Sequence, residues 1–301
     1  MKTPVIFDVD TGIDDAVAIL LAQKCKRLDI KFFCSSAGNT SAKNGAKNTL
    51  DVLELIAAQN TPVHVGSESG FKRTRTKRSA HGKSGLGDYV FPQNPRKVCK
   101  DGYIKRYESE LMAAKKPMSI VALGPLTNIA KVVQKSPKVK EKIKDVWFMG
   151  STFDEPVGEK PYAGFNVACD PEAVEYLLKQ GIKIVFCPNN FGREFYLTPA
   201  DIEKIAQTGK VGAVLAEIFL GYKDNFIKNG AAMYDSTAVF AFLNKRACKI
   251  KGCFMEIKYY PALDTALAIP HFGAKNNNAQ IIVSLNGKNL KKMLFKFIKS
   301  K

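Results

Sequence analysis

The sequence has little of what soft-metal, membrane or disulfide proteins are built from. Its seven cysteines, Cys25, Cys34, Cys99, Cys169, Cys187, Cys248 and Cys253, are odd in number, scattered and free of CxxC pairs. A disulfide framework or a zinc site is therefore not expected, and a reducing cytoplasm is the expected location. No apolar run approaches the roughly 20 residues that span a bilayer, so no membrane partner is expected. The apolar stretch Val5 to Phe7 is too short for the core of a signal peptide. Repeats and linker-like stretches are lacking too, which points to one domain over residues 1–301. Histidine is scarce, with only His64, His81 and His271. Acidic residues are outnumbered by basic ones, leaving a formal charge of +18. A basic stripe is the footprint of nucleic-acid binding. Here the excess is mainly lysine, spread over stretches such as Lys135, Lys138, Lys140, Lys142 and Lys144, with no aromatic residues interleaved. Nucleic acid is not expected as the partner. The densest basic run, Lys72 to Arg78, reads as a surface loop.

With 46% hydrophobic and 25% charged residues, the chain reads as an ordinary soluble globular protein. Short apolar runs alternate with amphipathic stretches. Strands are expected at Pro4 to Val9, Ile30 to Ser35, Pro62 to Val65, Met118 to Leu123, Val146 to Met149 and Ile182 to Cys187. Helices are expected at Asp14 to Gln23, Lys43 to Gln59, Tyr103 to Lys115, Leu126 to Gln134 and Pro171 to Gln180. The last third reads as helical from Pro199 to Ile227 and again from Asp235 to Phe242. Late strands at Phe254 to Tyr260 and Ile281 to Leu285 precede a terminal helix, Lys288 to Lys299. This alternation predicts an α/β fold with a Rossmann-like, mostly parallel sheet flanked by helices. Its ligand site should lie at the carboxyl ends of the strands.

The first such strand end carries Asp8, Asp10, Asp14 and Asp15. Carboxylates this crowded beside a buried strand repel one another unless a cation or hydrogen bonds compensate. Helix capping accounts for Asp14 and Asp15 but leaves Asp8 and Asp10 unexplained. Oxygen-only ligation by several carboxylates suits Ca²⁺ or Mg²⁺. A strand ending in DxD also resembles the haloacid-dehalogenase phosphohydrolases, in which the first aspartate is a nucleophile. That pattern expects a late acidic pair, which the C-terminal half does not offer.

The segment DVDTGIDDA resembles the N-terminal signature of the nucleoside hydrolase family, inosine–uridine preferring type. Further matches follow in family order: AGN at 37–39, HGKSGLG at 81–87, LGPLTNIA at 123–130, FMG at 148–150, FNVACDPEA at 165–173 and YDSTA at 234–238. The resemblance covers nearly the whole chain. It implies hydrolysis of the N-glycosidic bond of a ribonucleoside, with one Ca²⁺ held by Asp10, Asp15, Asp235 and the backbone carbonyl of Leu123. It also implies that Asp14, Asn39 and Asn166 bind the ribose hydroxyls, that Met149 lines the sugar site, and that Asp8 orients its neighbours. A homo-oligomer, dimer or tetramer, is expected on the same ground. Cleavage of a glycosidic bond passes through an oxocarbenium-like state, so a water must be activated and the departing base protonated. Ca²⁺ acidifies a water only modestly, so an adjacent carboxylate must take the proton, and Asp10 is the expected base.

Two positions depart from the family pattern. Tyr234 stands where the motif has a histidine that assists the leaving base, and a phenol of pKa about 10 is a weaker acid. Gly164 stands where AEFN has the glutamate that holds the ribose 5′-hydroxyl, with Glu155 and Glu159 as neighbouring substitutes. His81 is expected to face the base, and Tyr222 and Phe226 are further candidates for that wall. His64 and His271 are expected to be structural. A rival from another class is a degenerate member that binds nucleoside or metal without turnover.

Overall fold

Apolar runs of the lengths noted above form the strands β1 (Thr3–Val9), β2 (Leu28–Ser35), β3 (Val63–Val65), β4 (Met118–Ala122), β5 (Ile143–Met149) and β6 (Ile184–Cys187). The chain continues through β7 (Tyr196–Leu197), β8 (Ala231–Ala232), β9 (Cys248–Tyr260), β10 (Thr265–His271) and β11 (Ala279–Leu285). The structure is a computed structural model and describes residues 2–58, 60–75, 80–87, 89–152, 163–222 and 230–299. Nine strands share one sheet in the order β10-β9-β11-β6-β5-β4-β1-β2-β3, while β7 and β8 pair separately. From β11 to β3 all neighbours run parallel, and β9 and β10 add an antiparallel hairpin at the far edge. The strand order reverses between β1 and β4. That is the switch point at which ligands of such sheets bind.

Both faces of the sheet are covered, as its near-continuous apolar strands require. In β1 the period of two sends Val5, Phe7 and Val9 into one core and Ile6 into the other. The first core holds the helix Ile13–Lys24, buried from Ile13 through Ala22, packed beside the helix Tyr234–Leu243, buried from Asp235 onward. Neither helix is amphipathic, because each is walled by the sheet on one side and by helices on the other. Their N-termini meet at the strand ends, and each brings carboxylates in its first turn: Asp14 and Asp15 from one, Asp235 from the other.

The structure corrects the sequence reading in four places. The span read as helical from Pro199 to Ile227 is not continuous but holds two helices, Pro199–Ala206 and Lys210–Leu220, with a break at Gly209, whose φ of 112° no helix accommodates; residues 223–229 lie outside the described residues. β9 begins at Cys248 rather than Phe254, and β10 was not anticipated. β10 is the edge strand and β9 lies between it and β11; β9 is exposed along one face, and lysines in β9 and Pro270 in β10 interrupt their apolar signal. Arg75 is not a surface residue. It is 8% exposed and forms a bidentate pair with Glu172, with Asp264 3.3 Å away; residues 76–78 lie outside the described residues. Among the described residues no helix is long and apolar enough to cross a membrane, and no disulfide joins any of the seven cysteines.

Candidate active site

Asp10 follows β1 and is fully buried. Its Oδ2 accepts a hydrogen bond from the backbone N–H of Asn39 at 2.8 Å. Only glycine permits this approach at position 38, since a Cβ there would lie 2.1 Å from that oxygen. Asp15 Oδ2 accepts from Gly12 N at 2.8 Å and from Asn39 Nδ2 at 3.3 Å. Asp14, Asp15 and Asp235 bring carboxylate oxygens within 4.8 Å of one another. Asp10 adjoins this trio rather than completing it. The Oδ1 atoms of Asp10, Asp14 and Asp15 are all buried with no hydrogen-bond partner. Orphaned acceptors of one sign pointing into one space are what a cation site looks like without its cation.

The protonation behaviour agrees. Burial, then repulsion from Asp15 and Asp14, holds the Asp10 carboxyl well above the usual range. Burial and the charges of Asp14, Asp15 and Asp10 do the same to Asp235. Asp14 and Asp15 are pushed up to about 6, chiefly by burial. The two helix N-termini offset part of this cost through their dipoles, but no cationic side chain pairs with the trio among the described residues.

Asp8 lies behind the cluster on the opposite face of β1. It accepts from Tyr107 Oη at 2.5 Å and from Asn128 Nδ2 at 3.1 Å, and burial raises its pKa to about 7. Its backbone carbonyl accepts from Leu123 N at 2.8 Å, which fixes the end of β4. A carboxylate so enclosed and off the pocket wall has no access to a phosphate, which sets the haloacid-dehalogenase reading aside.

Above the carboxylates opens a cavity of about 190 Å³. Its wall contains Asp14, Asn39, His81, Leu123, Met149, Asn166, Tyr234 and Asp235, all anticipated from sequence. Asp10 and Asp15 form the buried layer beneath. Asn166 bridges two strand ends, its Nδ2 donating to Met149 O at 2.9 Å and to Leu123 O. The carbonyl of Leu123 thus faces the site while its side chain is core. His81 Nδ1 accepts from Ile13 N at 3.0 Å, so the ring hydrogen sits on Nε2, 3.8 Å from Asp14 Oδ1. Burial pulls the His81 pKa down to about 4, so the imidazole is neutral at pH 7. The Tyr222 ring lies 5.3 Å from that of His81, and burial drives its phenol well above 10. Tyr234 packs against Gly192, where a Cβ would sit 2.2 Å from its ring.

Sequence reasoning missed Ala80, Phe165 and Asn189 in this wall. Asn189 follows β6 directly, so the strand-end rule applied to every parallel strand would have found it. Phe226, Glu155 and Glu159 lie outside the described residues. Gly164 sits against the backbone of Ser151, with Asn189 beyond. His64 is buried in β3 and His271 is exposed at the end of β10, paired with Glu256 at 2.7 Å. Neither lines the cavity.

Comparison with known proteins accords with this geometry. The family model described as inosine-uridine preferring nucleoside hydrolase matches residues 5–292. A non-specific ribonucleoside hydrolase, RihC, of Escherichia coli O157:H7 is 31% identical over 292 residues, covering 96% of this chain and 95% of its own length. RihC of Escherichia fergusonii is 30% identical over 291 residues, with the same coverage. Among solved structures, a plant nucleoside hydrolase superposes with a TM-score of 0.89 at 22% identity, covering 100% of both chains. A purine-preferring ribonucleoside hydrolase from Gardnerella vaginalis gives 0.87 at 21%, covering 99% of this chain and 98% of its own; these two likenesses speak to the fold. The orphaned carboxylates, the switch-point cavity and the match along almost the whole chain lead to one conclusion: the chain belongs to the inosine-uridine preferring nucleoside hydrolase family, hydrolases of N-glycosyl bonds.

Proposed function

We propose that the protein cleaves the N-glycosidic bond of ribonucleosides with one Ca²⁺ per chain and with Asp10 as the base. The observation that carries this reading is the set of unpartnered Oδ1 atoms on Asp10, Asp14 and Asp15 beneath the cavity. Asp10, Asp15, Asp235 and the Leu123 carbonyl would hold the ion. Several buried carboxylates suit Ca²⁺, which accepts many protein oxygens, better than Mg²⁺, which keeps its waters. When bound, the ion supplies the charge that keeps these carboxylates ionised at neutral pH and orients the vicinal hydroxyls of the sugar.

Asp14, Asn39 and Asn166 grip the ribose hydroxyls, while Met149 and Phe165 give the sugar an apolar wall. Holding the sugar at a fixed distance from an oriented water contributes much of the rate by proximity alone. Asp10 Oδ1 takes the proton of that water as it attacks the anomeric carbon, and the bond to the base breaks as positive charge spreads over the sugar ring oxygen. Tyr234 donates to the departing base. Its partners on that wall are His81, a neutral N–H donor, and Tyr222, whose phenol holds its proton tightly.

That weak-acid wall favours a second, milder reading: turnover is slow on natural nucleosides and faster on ribosides whose leaving group needs no proton. Chromatographic release of free base from a nucleoside panel, set beside release of nitrophenol from nitrophenyl riboside, tests both readings. Turnover of natural nucleosides that is lost on chelation and restored by Ca²⁺ supports the first. Absence of any turnover with any riboside sinks it. A homo-oligomer in a reducing cytoplasm completes the proposal, and light scattering on the purified protein tests the assembly.

A further inference from the structure

The far edge of the sheet holds a second group of donor atoms. β3 is its last strand, and Cys99 N donates to Val63 O at 2.8 Å, laying the segment around Cys99 along that open edge. This brings together His64, Cys99 and Asp101, each with a donor atom within 4.8 Å of the others. His64 Nδ1 lies 3.7 Å from Asp101 Oδ1 and 3.2 Å from the Asp101 carbonyl.

The imidazole is the buried member, 1% exposed, and its Nε2 has no hydrogen-bond partner. Its own chain cannot satisfy it in either neutral form. With the proton on Nδ1, a long bond reaches the Asp101 carbonyl and the Nε2 lone pair is orphaned. With the proton on Nε2, the Nδ1 lone pair faces two oxygens, both acceptors. A cation on Nδ1 would turn that lone pair and the two oxygens from repelling neighbours into ligands of one ion. The nearby Arg106 is paired with Glu110 at 2.7 Å. Cys99 is half-buried and Asp101 is 48% exposed, so an ion has a path from solvent.

We propose that His64, Cys99 and Asp101 form a second cation site, for Zn²⁺ or a similar borderline transition ion, that pins the 99–101 segment to the sheet edge. One nitrogen, one thiolate and one carboxylate are a donor set for such an ion, with the Asp101 carbonyl or a water as the fourth ligand. Donors about 2.0–2.3 Å from one ion stand about 3–4 Å apart, a spacing that needs only a small movement of the exposed Asp101. His64 is distant in sequence from Cys99 and Asp101, and no second cysteine stands near Cys99, which is why cysteine spacing gave no sign of the site. This site differs in chemistry from the oxygen-only cluster and does not depend on its function.

Protein saturated with Ca²⁺ and titrated with Co²⁺ tests the proposal. The expected result is one equivalent of Co²⁺ with thiolate-to-cobalt charge-transfer absorption in the near ultraviolet. That absorption should vanish in Cys99→Ser, and Asp101→Asn should bind Co²⁺ at least about tenfold more weakly, as loss of a ligand does. Zn²⁺ should raise Tm in the wild type and leave Cys99→Ser unmoved. Both substitutions fall on partly exposed residues, so folding is not at stake. Absence of the charge-transfer absorption in the wild type, or its persistence in Cys99→Ser, overturns the proposal.

Discussion

The two ends of the cavity are built on different physical principles. At the end we assign to the sugar, buried carboxylates from two helices, a strand-end carbonyl and two asparagines converge, and backbone partners fix one oxygen each of Asp10 and Asp15 while their Oδ1 atoms stay unpartnered. Asp10 is held by Asn39, Asp15 by Gly12, and Asn166 by the ends of β4 and β5. At the base end, His81 is neutral, Tyr222 is buried, and Tyr234 rests on Gly192. One end is an arrangement of mutually repelling carboxylates, the proposed cation site. The other is a set of weak donors with no charge to lose. The sugar end should therefore decide whether the enzyme works, and the base end which ribosides it prefers.

Asp10→Asn should make the largest difference. It removes the proposed base and a proposed cation ligand, so kcat should fall by about 10²–10⁴-fold, the usual contribution of a general base, on every riboside. The same change removes a buried charge that its neighbours repel, so the metal-free variant should melt no lower than the metal-free wild type. A large loss of Tm with kcat merely following it would make Asp10 a folding residue rather than a base.

Tyr234→His probes the other end. With an imidazole restored as acid, kcat/KM on inosine or uridine should rise by about tenfold or more, while nitrophenyl riboside should change little. An equal effect on both substrates would remove the distinction drawn between the two ends.

A pH titration of metal-free stability sharpens the sugar end. Asp14 and Asp15 have folded pKa values raised to about 6, against about 4 unfolded. A raised carboxyl pKa means that the folded state binds protons more tightly, so its contribution is present below about pH 4 and lost as pH rises through about 6. Metal-free protein should accordingly melt at a lower temperature at pH 7 than at pH 5, and Ca²⁺ should flatten or reverse that trend. Differential scanning calorimetry with and without chelator reads both.

The smallest expected effect concerns Gly164. A glutamate there would restore the carboxylate that the family places near the ribose 5′-hydroxyl. The present glycine, on a chain of charge +18, should tolerate a 5′-phosphate better. Gly164→Glu should depress kcat/KM for a nucleoside 5′-monophosphate more than for its parent nucleoside, at low salt above all. A Cβ at this position would stand 3.2 Å from Ser151 N, so Gly164→Ala is the control for crowding alone. No turnover of the monophosphate at either salt level would remove the idea.

How much of this was legible in the sequence follows the same divide. Strands β1, β2, β4, β5 and β6 were readable because strands buried on both faces are unbroken apolar runs, and the strand ends then marked Asp10, Asn39 and Leu123. Asp235 was readable only through the family motif, since no spacing relates it to Asp15. The helix pairing that joins them is a tertiary fact. Edge strand β10 was missed because a half-exposed strand resembles a loop. Arg75 was misread because a charged run looks solvated until a carboxylate partner, the partly buried Glu172, appears across the fold. Asn189 escaped for want of a motif, and the neutral state of His81 depends on burial that no sequence states.

The central claim is that the orphaned carboxylates are one half of a cation site. Calorimetric titration of chelator-treated protein with Ca²⁺ near pH 6.5, repeated in buffers of different ionisation heat, tests it most directly. One Ca²⁺ per chain, bound with release of protons and lost in Asp15→Asn, is the result the account predicts. Absence of binding, or binding that leaves the protonation of the protein unchanged and survives Asp15→Asn, would contradict it.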